Sequence, residues 1–112
     1  MYGLSSDVDL SFLVGREVVQ VAVGAFQVLL HFDNDVSLSI EGDCEFAGSR
    51  FNPGVVVGRH LLQLIGKTVT TARSLEERHL ELTFDNNSDL RVLDDDEGES
   101  FTITSPEGTI VV

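Results

Sequence analysis

Two stretches of this chain place oxygen-bearing side chains where a hard cation could use them. In Asp85-Asn86-Asn87-Ser88-Asp89, the residues Asp85, Asn87 and Asp89 stand at relative positions 1, 3 and 5, the spacing of the first ligands in an EF-hand loop. That loop needs Gly at its sixth position and a bidentate Glu at its twelfth. Leu90 and Asp96 occupy those places here, and in the related segment beginning at Asp33 the sixth position is Leu38. Both leucines continue the alternation of a strand. The two segments therefore read as hairpin turns, where Asp and Asn bond to nearby backbone and Asn tolerates positive φ. The second stretch is Asp94-Asp95-Asp96-Glu97-Gly98-Glu99. Its carboxylates could gather a divalent cation or meet Lys and Arg on a partner; the plainer reading is a solvated loop held open by self-repulsion. Asp94, Asp95, Asp96, Glu97 and Glu99 are accordingly the candidate partner-binding residues.

The remaining reactive side chains form no motif. Cys44 is the single cysteine, so it has no partner for an internal disulfide, and its neighbours Asp43 and Glu45 disfavour the thiolate. It reads as an inert thiol. His31, His60 and His79 lack the three- or four-residue separation of a zinc site. There is no Gly-x-Ser-x-Gly elbow, phosphate loop or dinucleotide fingerprint. No catalytic residue, metal ligand or cofactor is assigned.

Bulk composition narrows the partners. The 112 residues carry 7 Lys and Arg against 19 Asp and Glu, a net charge of −12. Residues 1–60 hold 8 acids and 3 bases, and residues 61–112 hold 11 and 4, so the surplus is not confined to one tail. Nucleic acid and anionic lipid are set aside as direct partners, because binding them means replacing counterions with Lys and Arg. The surplus suits solubility, or steering towards a basic protein. The N-terminus, MYGLSSDVDLSF, lacks the basic start and apolar run of a signal peptide, and no stretch approaches the ~20 apolar residues that span a bilayer. The expected location is a reducing cytosol.

The elements that would position these residues come in an echo. Leu13-Val14-Gly15-Arg16 is answered by Leu64-Ile65-Gly66-Lys67, Val18 by Val69, and Leu30, Phe32, Asp33, Asn34 by Leu82, Phe84, Asp85, Asn86. The offset grows from 51 at the Gly to 52 at the Phe, which leaves one extra residue in the second copy. Each copy reads as a helix ending at Gly, then three strands. The first helix is expected over Ser6–Val14 with Ser6 or Asp7 as cap. The second is expected between Pro53 and Ile65 with Asn52 as cap, although Val55-Val56-Val57 prefers a strand and the helix could be restricted to about Gly58–Ile65. Strands are expected at Glu17–Val23, Gln27–Asp33 and Val36–Gly42, and again at Thr68–Ser74, Arg78–Asp85 and Asp89–Leu93. Val28, Leu30, Phe32, Leu38 and Ile40 share one face, while Val18, Ala22 and Leu29 fall on the other, which a helix or a second subunit could cover. Phe101–Thr104, a Ser105-Pro106-Glu107-Gly108 type I turn and Thr109–Val112 make a final hairpin.

This order, with Glu99-Ser100-Phe101-Thr102-Ile103-Thr104-Ser105-Pro106-Glu107-Gly108 at its close, resembles a group of small bacterial domains of unknown function. In those the Glu-Ser pair is commonly followed by Trp, whose place Phe101 takes, and a Pro-Asp/Glu-Gly turn comes later. The resemblance covers most of residues 11–112 and implies neither an activity nor catalytic residues.

The expected fold is α+β, mainly β: antiparallel sheets from two internally duplicated helix–β–β–β units sharing one core, in a single domain of residues 1–112. Repeat one runs over about 6–46 and repeat two over about 53–104, followed by the hairpin strand 109–112. Sharing is required because ~50 residues alone are marginal. The function expected is a non-enzymatic protein-interaction module docking a basic partner, as an immunity protein docks a toxin or nuclease, or pairing with another copy of itself. The alternatives are a small-ligand or divalent-metal-binding domain, or an enzyme whose site lies between the repeats.

Overall fold

The computed structural model describes residues 9–75, 79–94, 101–106 and 108–111. Strand β1 is Val18–Val23, β2 Val28–Phe32, β3 Ser37–Ile40, β4 Cys44–Phe46, β5 Ser49–Phe51, β6 Val69–Leu75, β7 His79–Phe84, β8 Asp89–Val92, β9 Phe101–Ser105 and β10 Gly108–Val111. One short helix, α1 (Val55–Leu61), and 3-10 turns at Ser11–Leu13 and Leu62–Leu64 complete the described elements. The fold is mainly β. Among the described residues, no helix is long and apolar enough to cross a membrane.

The strands form two five-stranded antiparallel sheets, ordered β1-β2-β3-β9-β10 and β5-β4-β8-β7-β6. The first three strands of each half stay together, as the alternation of their apolar residues implies. The fourth and fifth do not. Hairpin β4–β5 leaves the first half to pair with β8, and hairpin β9–β10 leaves the second half to pair with β3. Each sheet is therefore completed by strands from the other half.

This partition corrects the helix–β–β–β unit expected above. The first helix is replaced, within the described residues, by a 3-10 turn at Ser11–Leu13; Ser6 and Asp7 lie outside them. The second helix starts at Val55, and its N-cap is Gly54, at φ 136° with no side-chain cap bond, rather than Asn52. Val55 to Val57 are helical despite their strand preference, because burial of Val57 and Leu61 in the core outweighs a propensity difference of a few tenths of a kcal/mol per residue. Hairpin β4–β5 was not anticipated. Its strands have three residues each, and its turn places Ala47 at φ 53° and Gly48 at φ 82°, both positive as a type I′ turn requires.

Val18 also departs from expectation. It is fully buried rather than on the outer face with Ala22 and Leu29. Val18 pairs with Phe32 but Gln20 with His31, so a bulge at Val19 inverts the alternation. The same irregularity stands between Val69 and Thr71 in β6.

The inner faces of both sheets feed one apolar cluster. Leu30, Leu38, Phe101 and Ile103 come from one sheet, and Phe46, Leu82, Phe84 and Leu90 from the other. Leu13, Val57, Leu61 and Leu64 from the helical segments seal it. The space between the sheets is thus filled by side chains, each worth about 1.5–3 kcal/mol on burial.

The halves are stitched at corresponding residues. Gly15 N–H donates to the Val69 carbonyl and Gly66 N–H to the Val18 carbonyl, both at 2.8 Å; Val18 N–H donates to Lys67 and Val69 N–H to Arg16, both at 2.9 Å. Gly15 and Gly66 each sit at φ 86°, the left-handed region that ends the preceding turn and aims the N–H across.

Candidate functional site

Strand alternation sends every second residue of the second sheet outwards, and register decides what those residues meet. Arg73 on β6 faces Glu81 on β7; Glu81 faces Arg91 on β8; Arg91 faces Glu45 on β4; Glu45 faces Arg50 on β5. The outcome is a row of alternating charge across all five strands. In the first sheet the analogous row reads Ala22, Leu29, Ser39 and Thr102, without a charge.

Glu81 is the pivot. It is only 5% exposed, yet it lies on the outer face, covered by the two arginines it binds. Arg73 Nε donates to Glu81 Oε1 at 2.7 Å, and Arg91 Nη2 to Glu81 Oε2 at 3.0 Å. Arg91 Nη1 reaches Glu45 Oε1 at 3.2 Å. Arg50 turns aside to Asp43, donating from Nε at 3.1 Å and Nη2 at 3.0 Å. Burial alone would raise the Glu81 pKa, but the hydrogen bonds and charges of Arg91 and Arg73 outweigh it and hold the carboxyl below its ordinary range. Arg91 is pushed upward, chiefly by its hydrogen bond to Glu81.

A pH dependence follows from that direction. A carboxyl with a lowered native pKa adds stability above its unfolded value and loses it as pH falls through the native one. Glu81→Gln should therefore destabilise the fold by about 1–2 kcal/mol near neutral pH, a low figure because Arg73 and Arg91 are partly solvated. The gap between the variant and the parent should close below the ordinary Glu range. Urea unfolding at several pH values checks this; a gap that stays constant down to strong acid would remove the pair from the account.

Two shallow depressions flank the row. One, of about 230 Å³, lies beside Glu45, Glu81, Asp89 and Arg91. The other, of about 300 Å³, is lined by Asp43, Glu45, Arg50, His79, Arg91 and Asp94 among others. At the latter, Asp94 N–H donates to His79 Nδ1 at 3.0 Å. Asp94 itself is only 3% exposed, so it anchors the start of the acidic run rather than presenting charge. Asp95, Asp96, Glu97 and Glu99 lie outside the described residues.

The other residues considered from sequence are placed as follows. Both Asp-Asn segments close hairpins: Phe32 N–H donates to Val36 and Phe84 N–H to Ser88, with Asn34, Asp35 and Asn87 at positive φ. Asp33 also accepts from the Glu17 N–H and pairs with Arg16 at 3.8 Å. Among the described residues, no three His, Cys, Asp or Glu side chains are grouped as a metal site. Cys44 is buried in the core, where burial, then Asp43 and Glu45, push its thiol up to about 12. His60 stacks against Phe51, ring centroids 4.8 Å apart.

Sequence reasoning missed the row itself. Glu81 could be assigned to an outward position, but its partners depend on β4 crossing between halves, which local spacing does not encode.

A family model described as "Family of unknown function (DUF6188)" matches residues 10–112. Neither a curated protein nor a solved structure matches the chain.

Proposed function

We propose that this chain, which belongs to the DUF6188 family of unknown function, is a non-enzymatic protein-interaction module that docks a basic partner in a reducing cytosol, as an immunity protein docks a toxin or nuclease. One observation carries the reading. Arg16, Arg50, Arg73 and Arg91 are each bound by a carboxylate of the chain itself. Four of the 7 bases are thus spent on internal pairs, and the acidic surplus of 12 is left to be met from outside. Exposed Glu17, Asp35, Glu41 and Asp85 belong to that surplus, as do the carboxylates of the run from Asp95 to Glu99. Charge of one sign speeds encounter with a partner of the other and makes the complex salt-sensitive. The buried Cys44 thiol is compatible with a reducing compartment and asks for no disulfide.

We further read the halves as diverged copies of one unit. The reciprocal hydrogen bonds of Gly15 and Gly66, and the bulges at the same point of β1 and β6, support that reading.

Two doubly substituted chains test the docking role. Glu17→Gln with Asp35→Asn, and Glu41→Gln with Asp95→Asn, each remove two charges, the first pair beside the β2–β3 turn and the second past the end of β3 and in the acidic run. A basic protein retained from a lysate by the parent chain should elute as NaCl rises, and one pair should weaken its retention several-fold more than the other. Equal losses would mean bulk charge alone, and retention indifferent to salt would contradict docking through the acidic surface.

A further inference from the structure

Apolar side chains gather at one place on the surface. Phe26, in the β1–β2 turn, is 83% exposed; Val55 and Val56, in the first turn of α1, are 57% and 63% exposed. Beside them lies a groove of about 410 Å³ lined by Ala25, Phe51, Pro53, Val55 and Val56 together with Arg50 and Asn52. Two glycines hold this arrangement. A Cβ on Gly54 would stand 2.6 Å from the Ala25 carbonyl oxygen, and one on Gly58 would stand 2.6 Å from Val23 Cγ2. The start of the helix therefore lies close against the β1–β2 hairpin at these two glycines.

The charge around this surface differs from the rest of the chain. Residues 18–32 contain no Asp, Glu, Lys or Arg, and residues 46–75 contain no Asp or Glu. Every segment that builds the groove and the exposed aromatic falls within those two ranges. Arg50 is neutralised by Asp43, and Arg59, one turn beyond Val55, forms no ion pair among the described residues. The surface is close to neutral on a molecule of net charge −12.

We infer that this face is the contact between two copies of the chain, related by a two-fold axis, with Phe26 of each copy seated in the groove of the other. A two-fold interface is self-complementary, and a projecting aromatic next to a groove on the same patch meets that need; Ala25, the neighbour of Phe26, lines the groove. Copies that both carry −12 repel one another wherever carboxylates would meet, and this face is where they do not. Exposed aromatic anchors seated in apolar pockets supply most of the energy of such contacts. The acidic surface proposed above for a basic partner stays outward, so each contact can be tested without the other.

Sedimentation equilibrium of the full chain decides the matter. The expected result is a monomer–dimer equilibrium that tightens as NaCl rises, because salt screens the repulsion between copies while leaving the apolar contact intact. Phe26→Asp should weaken the dimer by at least about tenfold. Val56→Asp should do the same, and thermal melts of both, taken at a concentration where the parent is monomeric, should match the parent because both side chains are solvated in the monomer. Ser39→Asp, on the outer face of the first sheet, should leave the dimer unchanged. A monomer at every concentration and salt would overturn the inference, as would a dimer that survives both Phe26→Asp and Val56→Asp. A complex that dissociates with salt would also overturn it, and would point to an acid–base contact through another face.

Discussion

Residues 1–52 made alone should stay unfolded, and so should residues 53–112; mixed in equal amounts, the two fragments should regain the far-ultraviolet signature of strands and a cooperative melt. The reason is the exchange of hairpins. The first fragment holds β1, β2 and β3, whose sheet is completed by β9 and β10, and it holds β4 and β5, which need β8 to pair with. The second fragment is in the mirror position. Each would expose one face of a three-stranded sheet with no opposing layer, and a half-chain of ~50 residues is already short of apolar burial. Complementation needs no new contact, since the hydrogen bonds from Gly15 to Val69 and from Gly66 to Val18 already join the halves. A first fragment that melts cooperatively by itself would show that the exchange is not what holds the fold.

How much of this was legible in the sequence follows from where the information lies. The long strands β2 and β7, with β3 and β8, could be read because Val28, Leu30, Phe32, Leu80, Leu82 and Phe84 keep a period of two, and the Asp-Asn corners mark their ends. The final hairpin could be read from Ser105 and Pro106. The short β4 and β5 could not, because three residues carry too little period, and Ala47 is an unusual occupant of a positive-φ turn position. The destination of β4 was hidden for another reason: sequential strands usually neighbour one another, and this one does not. Simple alternation puts Val18 on the wrong face because it does not register the bulge between Val18 and Gln20. The acidic run stood out by composition, yet Asp94 proved buried, and the charged row around Glu81 emerges only once strands of both halves are in register.

The second large effect lies at the glycines under the helix. Gly54→Ala should cost about 2–4 kcal/mol, combining a side chain at φ 136° with a Cβ driven against the backbone oxygen of Ala25. Gly58→Ala meets a different obstacle. Its Cβ would lie 2.6 Å and 2.9 Å from the two methyls of Val23, a side chain that can be shortened. Alone it should destabilise, the clash exceeding the gain of about 1 kcal/mol from replacing Gly in a helix. Combined with Val23→Ala it should recover by at least about 1 kcal/mol relative to the sum of the single changes. The same Val23→Ala should do nothing for Gly54→Ala, whose neighbour is main chain. Chemical unfolding of the single and double variants measures all of these. Additive costs at 23 and 58 would mean that the helix shifts to make room and does not press on the hairpin as described.

The pairing of β3 with β9 joins Ser37 to Thr104 and Ile40 to Phe101, residues 67 and 61 positions apart in sequence. The free edge of β3 can therefore be paired only once β9 has been synthesised. Contacts of such long sequence separation close slowly, on the order of milliseconds to seconds. Slowing elongation between β3 and β9 would lengthen the time that this edge stays unpaired.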